Sequence, residues 1–260
     1  MNNVLRFLLL FLITFGLKLG FTEHTDFYFV QITDTHWGDP ANLERTSDAI
    51  KAINKLPFSI EFVIHTGDVT SNETDNPQLL NSGMAIMKTC KYPVYYIPGN
   101  NDIREGHFKK DSAAFTSYFG NFNRRIDKQK YSIILLYNLE ITAKGSCIYE
   151  PLGVLDSLLK TKPSILPAFV FQHCPTTVDF YSNAIHPGWS AEKLMKFQNI
   201  CENNNVKAVF TGHFHRDGFH MIGAIPLFIA PPISKAFGRQ PSFRVYHYEN
   251  GKIHYTSVYF

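Results

Sequence analysis

Five short segments carry side chains that bind metal or move protons: "TDTH" (33–36), "HTGD" (65–68), "PGNND" (98–102), "QHC" (172–174) and "TGHFH" (211–215). Asp34 and His36 are two residues apart, so an extended backbone turns both side chains to one face. His213 and His215 repeat that spacing. Asp68 adds a carboxylate, His173 an imidazole, and Asn100 an amide oxygen that a hard cation accepts. Carboxylates and imidazoles brought together bind Zn, Mn or Fe. Taken alone, "PGNND" reads as an ordinary polar turn, since Pro, Gly, Asn and Asp each have a backbone reason to be there. Both readings hold together if Pro98 and Gly99 shape the backbone that delivers Asn100. A single His pair is a weak signal, because core and surface histidines are common. Five segments with matching surroundings point to one shared site.

Those surroundings are strand ends. Residues 27–33, 61–67, 93–99, 131–137, 168–173 and 206–212 are short runs rich in β-branched and aromatic residues, and they read as buried strands. Residues 42–55, 77–90, 111–119, 151–160 and 190–203 show helical spacing between them. Strand and helix in alternation predict a layered α/β architecture. After residue 218 the pattern is all strand, and Asn250-Gly251 between alternating runs marks a hairpin. In α/β sheets ligands bind beyond the carboxyl ends of the strands, which is where the polar segments fall.

The chain has 260 residues, 45% hydrophobic and 18% charged, which is globular composition rather than disorder. Residues 1–25 read as a signal peptide or N-terminal anchor, because Arg6 precedes an uncharged apolar run from Phe7 to Leu17. That run is shorter than the roughly 20 residues a bilayer requires. Residues 26–260 then form one domain, and the expected location is secreted or periplasmic. The formal charge of +3 and the lack of basic runs beyond "KK" and "RR" exclude an evident nucleic-acid surface. Cys90, Cys147, Cys174 and Cys201 lie far apart with no CxxC pair, so neither a zinc knuckle nor thiol redox work is indicated. Their disulfide pairing stays open.

The ordered set Asp34-x-His36, Gly67-Asp68, Gly99-Asn100-x-Asp102, His173 and Gly212-His213-x-His215 resembles the calcineurin-like metallophosphoesterases. The resemblance spans about residues 27–232. It implies a four-layer αββα sandwich and two divalent metal ions, Mn, Fe or Zn. Asp34, His36, Asp68 and His215 would surround one ion, and Asp68, Asn100, His173 and His213 the other, with Asp68 shared. It further implies hydrolysis of phosphate esters by a metal-activated water, with Asp68, Asn100 and His213 central to catalysis. The absence of a G-x-S-x-G elbow, a P-loop and an H-E-x-x-H helix agrees with that chemistry.

One position departs from the family pattern. Many members have His after the Gly-Asn pair, whereas Asn101 stands here and cannot act as a general acid. Asn101 and Arg104 are the candidate substrate-binding residues, and Asp102-x-Arg104 resembles the cyclic-nucleotide phosphodiesterase branch. Phosphodiesters are therefore the expected substrates. The alternatives are an acid sphingomyelinase-like or polyphosphate-cleaving hydrolase, or a scaffold that binds without turnover. The expected partner is a small-molecule or lipid-headgroup phosphate ester, with membrane contact only through an uncleaved N-terminal segment. His65 is expected to pack behind the site, His186 is a candidate pocket residue, and Cys174 is not expected to act as a nucleophile.

Overall fold

The computed structural model describes residues 25–143, 146–161, 166–177, 188–235 and 238–260. The leader expected at residues 1–25 lies outside them except for Thr25, and so does His186.

β1 (Asp26–Ile32) shows how the sequence builds the layers. Alternate residues face opposite ways: Phe27 and Phe29 enter one apolar cluster, and Val30 and Ile32 enter another. β1 pairs in parallel with β2 (Phe62–His65), which pairs in parallel with β3 (Val94–Tyr96). A second sheet has a parallel centre of β5 (Ser132–Leu135), β8 (Ala168–Phe171), β9 (Val206–Thr211) and β11 (Ile225–Ile229). Antiparallel strands close the edges: β12 (Ser242–Glu249) and β13 (Lys252–Tyr259) beside β1, β4 (Arg124–Asp127) beside β5, and β10 (Gly218–Ile222) beside β11.

The two sheets face each other across an aromatic layer in which Phe29, Phe62 and Tyr246 meet Phe169, Phe171 and Phe210. Phe29 stacks on Phe62 at 5.1 Å and meets Phe210 edge-on at 5.2 Å, both favourable ring arrangements. Helices α1 (Pro40–Ile53), α2 (Pro77–Met87) and α3 (Phe108–Phe119) cover the outside of the first sheet through Ile50, Leu80 and Phe115. α4 (Pro151–Lys160) and α5 (Ala191–Asn203) cover the second through Leu155 and Phe197. The result is the α/β, four-layer αββα sandwich.

Helix starts follow local chemistry. Asp39, Asn76 and Glu150 accept backbone N–H bonds as N-caps before Pro40, Pro77 and Pro151, which have no N–H to satisfy. The cap moves α1 two residues ahead of the periodicity-based start at 42. The hairpin forms as expected, with Asn250 and Gly251 at φ 51° and 80°. β4 and the small hairpin of β6 (Ile141–Ala143) and β7 (Ser146–Tyr149) are additions to the sequence-based reading.

Candidate metal centre at the strand ends

The parallel strands of both sheets end at a common edge, and every expected ligand follows one of them. The loops after β1, β2 and β3 supply Asp34, His36, Asp68 and Asn100; those after β8 and β9 supply His173, His213 and His215. The first sheet thus contributes four of these residues and the second three.

The backbone there differs from the extended form expected for the two D/H-x-H pairs. Asp34, His36, His213 and His215 have φ of 52°, 45°, 71° and 49°, and Asp68 has 52°. The strands have already ended, and a left-handed turn at each residue re-aims its side chain. The other non-glycine residues with positive φ among those described are Asn72, Asn205 and Asn250, a type that tolerates this region. Left-handed strain of about 1–3 kcal/mol per residue persists only where surroundings enforce it. Here Asp34 N and His36 N donate to Gly67 O and Asp68 O at 2.9 and 3.0 Å, tying the first loop to the second.

Asp34, His36, Asp68 and His215 place one ligand atom each within 4.8 Å of one another. His215 Nε2 lies 3.0 Å from Asp34 Oδ1 and 3.1 Å from His36 Nε2. Next to this group, His173 Nε2 lies 3.2 Å from Asn100 Oδ1, 3.2 Å from His213 Nδ1 and 3.3 Å from Asp68 Oδ2. The same Asp68 oxygen is 3.7 Å from His36 Nε2, so this carboxylate stands between the two groups. Two imidazole nitrogens facing each other beside two carboxylates need a proton or a cation between them. The donor set of carboxylate, imidazole and amide oxygen therefore fits divalent metal. Cys174 Sγ falls within the same 4.8 Å limit of His173 and His213 ligand atoms.

The buried carboxylates and imidazoles hold one another's charge in place. Burial works to raise Asp34, but the His215 hydrogen bond and the charges of His173, His215 and His36 hold it far below the carboxylate range. Burial likewise opposes ionisation of Asp68, and His173 overcomes it. In the reverse sense, burial would lower His173, yet Asp68 lifts it to about 9. Burial, then Asp68 and Asp34, raise the Cys174 thiol well above its ordinary value, so it is no nucleophile.

Close backbone packing leaves no room for side chains at two glycines. A Cβ on Gly99 would sit 2.1 Å from Asp68 Oδ1, and one on Gly212 would sit 2.0 Å from Thr33 Oγ1. Asp102 draws the loops together by accepting from Val69 N, Thr70 N and Gly99 N at 3.0, 2.8 and 2.9 Å. His65 is buried behind them; its Nδ1 accepts from Gly67 N at 3.2 Å, which puts the ring proton on Nε2, facing Thr35 Oγ1 at 2.9 Å.

The two substrate-binding candidates separate. Asn101 joins the centre, donating from Nδ2 to Asp68 Oδ2 at 2.6 Å and from its backbone N to Asp68 Oδ1 at 2.8 Å. Arg104 does not: its guanidinium forms a fork with Asp111 at 2.8 and 2.7 Å and reaches Asp75 at 3.2 Å. Those carboxylates use its donors to fasten the loop to the first turn of α3.

Sequence reading missed Gln31. From the inter-sheet face of β1, its Nε2 donates to Thr66 Oγ1 at 2.8 Å and to Thr211 O at 2.9 Å, joining the segment before Asp68 to the one before His213. Tyr246 Oη donates to Gln31 Oε1 at 2.9 Å and accepts from Arg244 Nη1 at 3.3 Å. Buried Arg244 in turn pairs with Asp217, two residues past His215. Thr66 O also accepts from His173 Nδ1 at 2.7 Å, which turns Nε2 of that ring toward the centre. The available signal was parity: Gln31 shares a face with Phe27 and Phe29, where a polar residue needs a partner.

A cavity of about 710 Å³, lined by Phe219, Phe228 and Tyr255, opens at the opposite end of the sheets, and none of the expected ligands lines it.

Residues 27–217 match the family model of the calcineurin-like phosphoesterases. A protein named probable cyclic nucleotide phosphodiesterase, from Rhodopseudomonas palustris, is 28% identical over 208 residues, covering 72% of this chain and 71% of its own. One of the same name from Colwellia psychrerythraea is 24% identical over 201 residues, covering 73% of this chain and 71% of its own. In fold the chain is similar to a dimetal phosphatase from Danio rerio, with a TM-score of 0.64 at 12% identity over 90% of this chain and 99% of the other. With its histidines and carboxylates gathered at the strand ends and most of its length matched, the chain belongs to the calcineurin-like phosphoesterase family and is a metal-binding hydrolase of phosphate esters.

Proposed function

We propose that the chain is a dinuclear phosphodiesterase acting on small-molecule phosphodiesters, with cyclic nucleotides the leading class. The observation that carries the dinuclear part is the position of Asp68, whose Oδ2 lies 3.7 Å from His36 Nε2 on one side and 3.3 Å from His173 Nε2 on the other. Asp34, His36, Asp68 and His215 hold one ion in this reading, and Asp68, Asn100, His173 and His213 the other. Two divalent ions, Mn, Fe or Zn, would acidify a water, polarise phosphoryl oxygens and offset the charge that develops during displacement.

The chain's own groups prepare that chemistry. Asp34 and Asp68 stay ionised under the influence of the surrounding imidazoles. Thr33 Oγ1 and His213 N donate to Asp34 Oδ2 at 2.6 and 3.1 Å, leaving Oδ1 turned to His215. Asn101 holds Asp68 and has no proton to give a leaving group. That deficit matters most for monoesters with poor leaving groups, and it supports the diester preference together with the two similar proteins named as cyclic nucleotide phosphodiesterases. Hydrolysis of bis(p-nitrophenyl) phosphate and p-nitrophenyl phosphate, measured in parallel on metal-loaded protein, should favour the diester. Asn101→His should shift the ratio toward the monoester; an unchanged ratio would remove the reason for the preference.

Export forms part of the proposal. Arg6 and the apolar run to Leu17 support a mature chain that begins between residues 17 and 26. N-terminal sequencing that finds intact Met1 on a soluble cytosolic product would contradict it.

A further inference from the structure

The two groups of the centre differ in softness. Asp34, His36, Asp68 and His215 offer only oxygen and nitrogen, whereas Cys174 Sγ lies within 4.8 Å of a ligand nitrogen of His173 and of one of His213. Zinc bonds imidazole at about 2.0–2.1 Å and sulfur at about 2.3 Å, so a nitrogen and a sulfur on one ion stand no more than about 4.4 Å apart. The cluster is within a few tenths of an ångström of that span. Cys174 is half-buried rather than sealed off, so an arriving ion can reach it. Among the described residues, Cys90, Cys147 and Cys201 join no such group.

Backbone contacts on both flanks hold the sulfur there. His173 and Cys174 follow β8, and Asn138, which follows β5, clamps Cys174 from the neighbouring loop: its Oδ1 accepts from Cys174 N at 3.1 Å and its Nδ2 donates to Cys174 O at 2.7 Å. Gln172 Nε2 donates to the same carbonyl oxygen at 3.2 Å. On the other flank Gly212 N donates to His173 O at 3.0 Å, which brings the segment that carries His213 alongside. Donors whose supports are fixed in this way are pre-organised for an ion.

We propose that Cys174 is a sulfur ligand of the ion held by Asp68, Asn100, His173 and His213, and that it raises the preference of this position for zinc over manganese. The inference rests on the dinuclear reading of the centre. As the sulfur–metal bond forms, the thiol proton leaves to water. Thiolate suits zinc, whereas carboxylate and amide oxygens suit manganese. The ion among Asp34, His36, Asp68 and His215, a group without sulfur, gains no such bias. Zinc outbinds manganese at most nitrogen and oxygen sites, so the quantity that reports on Cys174 is the difference between variants.

Cobalt(II) reports both points on the full chain: its visible bands follow binding, and a sulfur-to-cobalt charge-transfer band in the near-ultraviolet requires a sulfur ligand. The chain loaded with two cobalt ions should show that band. Cys174→Ser and Cys174→Ala should lose it and keep the visible bands, while Cys147→Ser, which removes an exposed thiol, should keep both. Competition between zinc and manganese, read as each metal bound per chain, should show the zinc preference falling at least about tenfold in Cys174→Ser, the lower end of what losing even an outer partner of a ligand costs. Two bound cobalt ions without the near-ultraviolet band, a band that survives both Cys174 variants, or an unchanged zinc preference would overturn the sulfur assignment and leave the dinuclear reading intact. If the chain takes up no second cobalt ion, the dinuclear reading fails and the sulfur assignment falls with it.

Discussion

Asp68 shows how the family's chemistry is written at the residue scale. Its carboxylate lies between two groups of imidazoles, its backbone is left-handed, and Gly99 packs against it too closely for any Cβ. Gly99→Ala should therefore cut metal-dependent turnover at least about tenfold, since the added methyl must displace a ligand rather than a flexible side-chain tip; assays at saturating metal would show it. His65 carries a different prediction. Burial depresses its pKa from 6.5 to about 3, with Asp34 and Asp68 partly opposing that shift. Below pH 6.5 the unfolded chain takes up a proton that the folded chain refuses. Stability from this residue is thus present above about 6.5 and is lost as pH falls toward 3. Urea unfolding at pH 7 and pH 4.5 should show this loss, and His65→Gln should reduce the difference between the two pH values.

At the scale of elements, the strands and helices were legible wherever burial dictates residue type. β1, β2, β8 and β9 are apolar because both faces are covered, and Pro after an Asp, Asn or Glu cap announces three of the helices. β4 was not legible, because a short edge strand reading Arg-Arg-Ile-Asp has no apolar pattern to display. The candidate ligands could be seen through residue type and order, but the left-handed turns that aim them could not, since nothing in Asp-x-His distinguishes a turn from an extended pair. The partners of Arg104 were hidden for a related reason: a loop arginine beside the motif gave no hint that Asp111 and Asp75 would take its donors. Gln31 was overlooked although its parity marked it. Replacing Gln31 by Leu leaves Tyr246 Oη and the Thr66 hydroxyl without their partner and should cost roughly 2–3 kcal/mol of stability. Tyr246→Phe removes one donor and should cost about 1 kcal/mol. Chemical unfolding of the two variants measures the order, and a larger loss from Tyr246→Phe would contradict the clamp assigned to Gln31.

Across the whole molecule, two sheets meet over an aromatic layer and bring their strand ends to one edge, so neither sheet holds a complete centre. Assembly of the site is then coupled to the packing of the sheets. Metal binding should raise the thermal midpoint, since an ion that binds only the folded arrangement stabilises it by mass action. Chelation should reverse the gain. The first sheet alone supplies three of the ligand-bearing loops and the second two, and a lasting centre requires Asp68 from one sheet beside His173 from the other.

The most direct measurement is metal stoichiometry with turnover on the same sample. The full chain is stripped, titrated with manganese, and assayed on bis(p-nitrophenyl) phosphate at each step, for the wild type and for Asp68→Ala. Two ions per chain, activity that follows the second ion, and a variant that retains at most one ion and hydrolyses nothing are the predicted results. Full turnover with a single ion, or an active Asp68→Ala protein, would contradict the shared carboxylate on which the account depends.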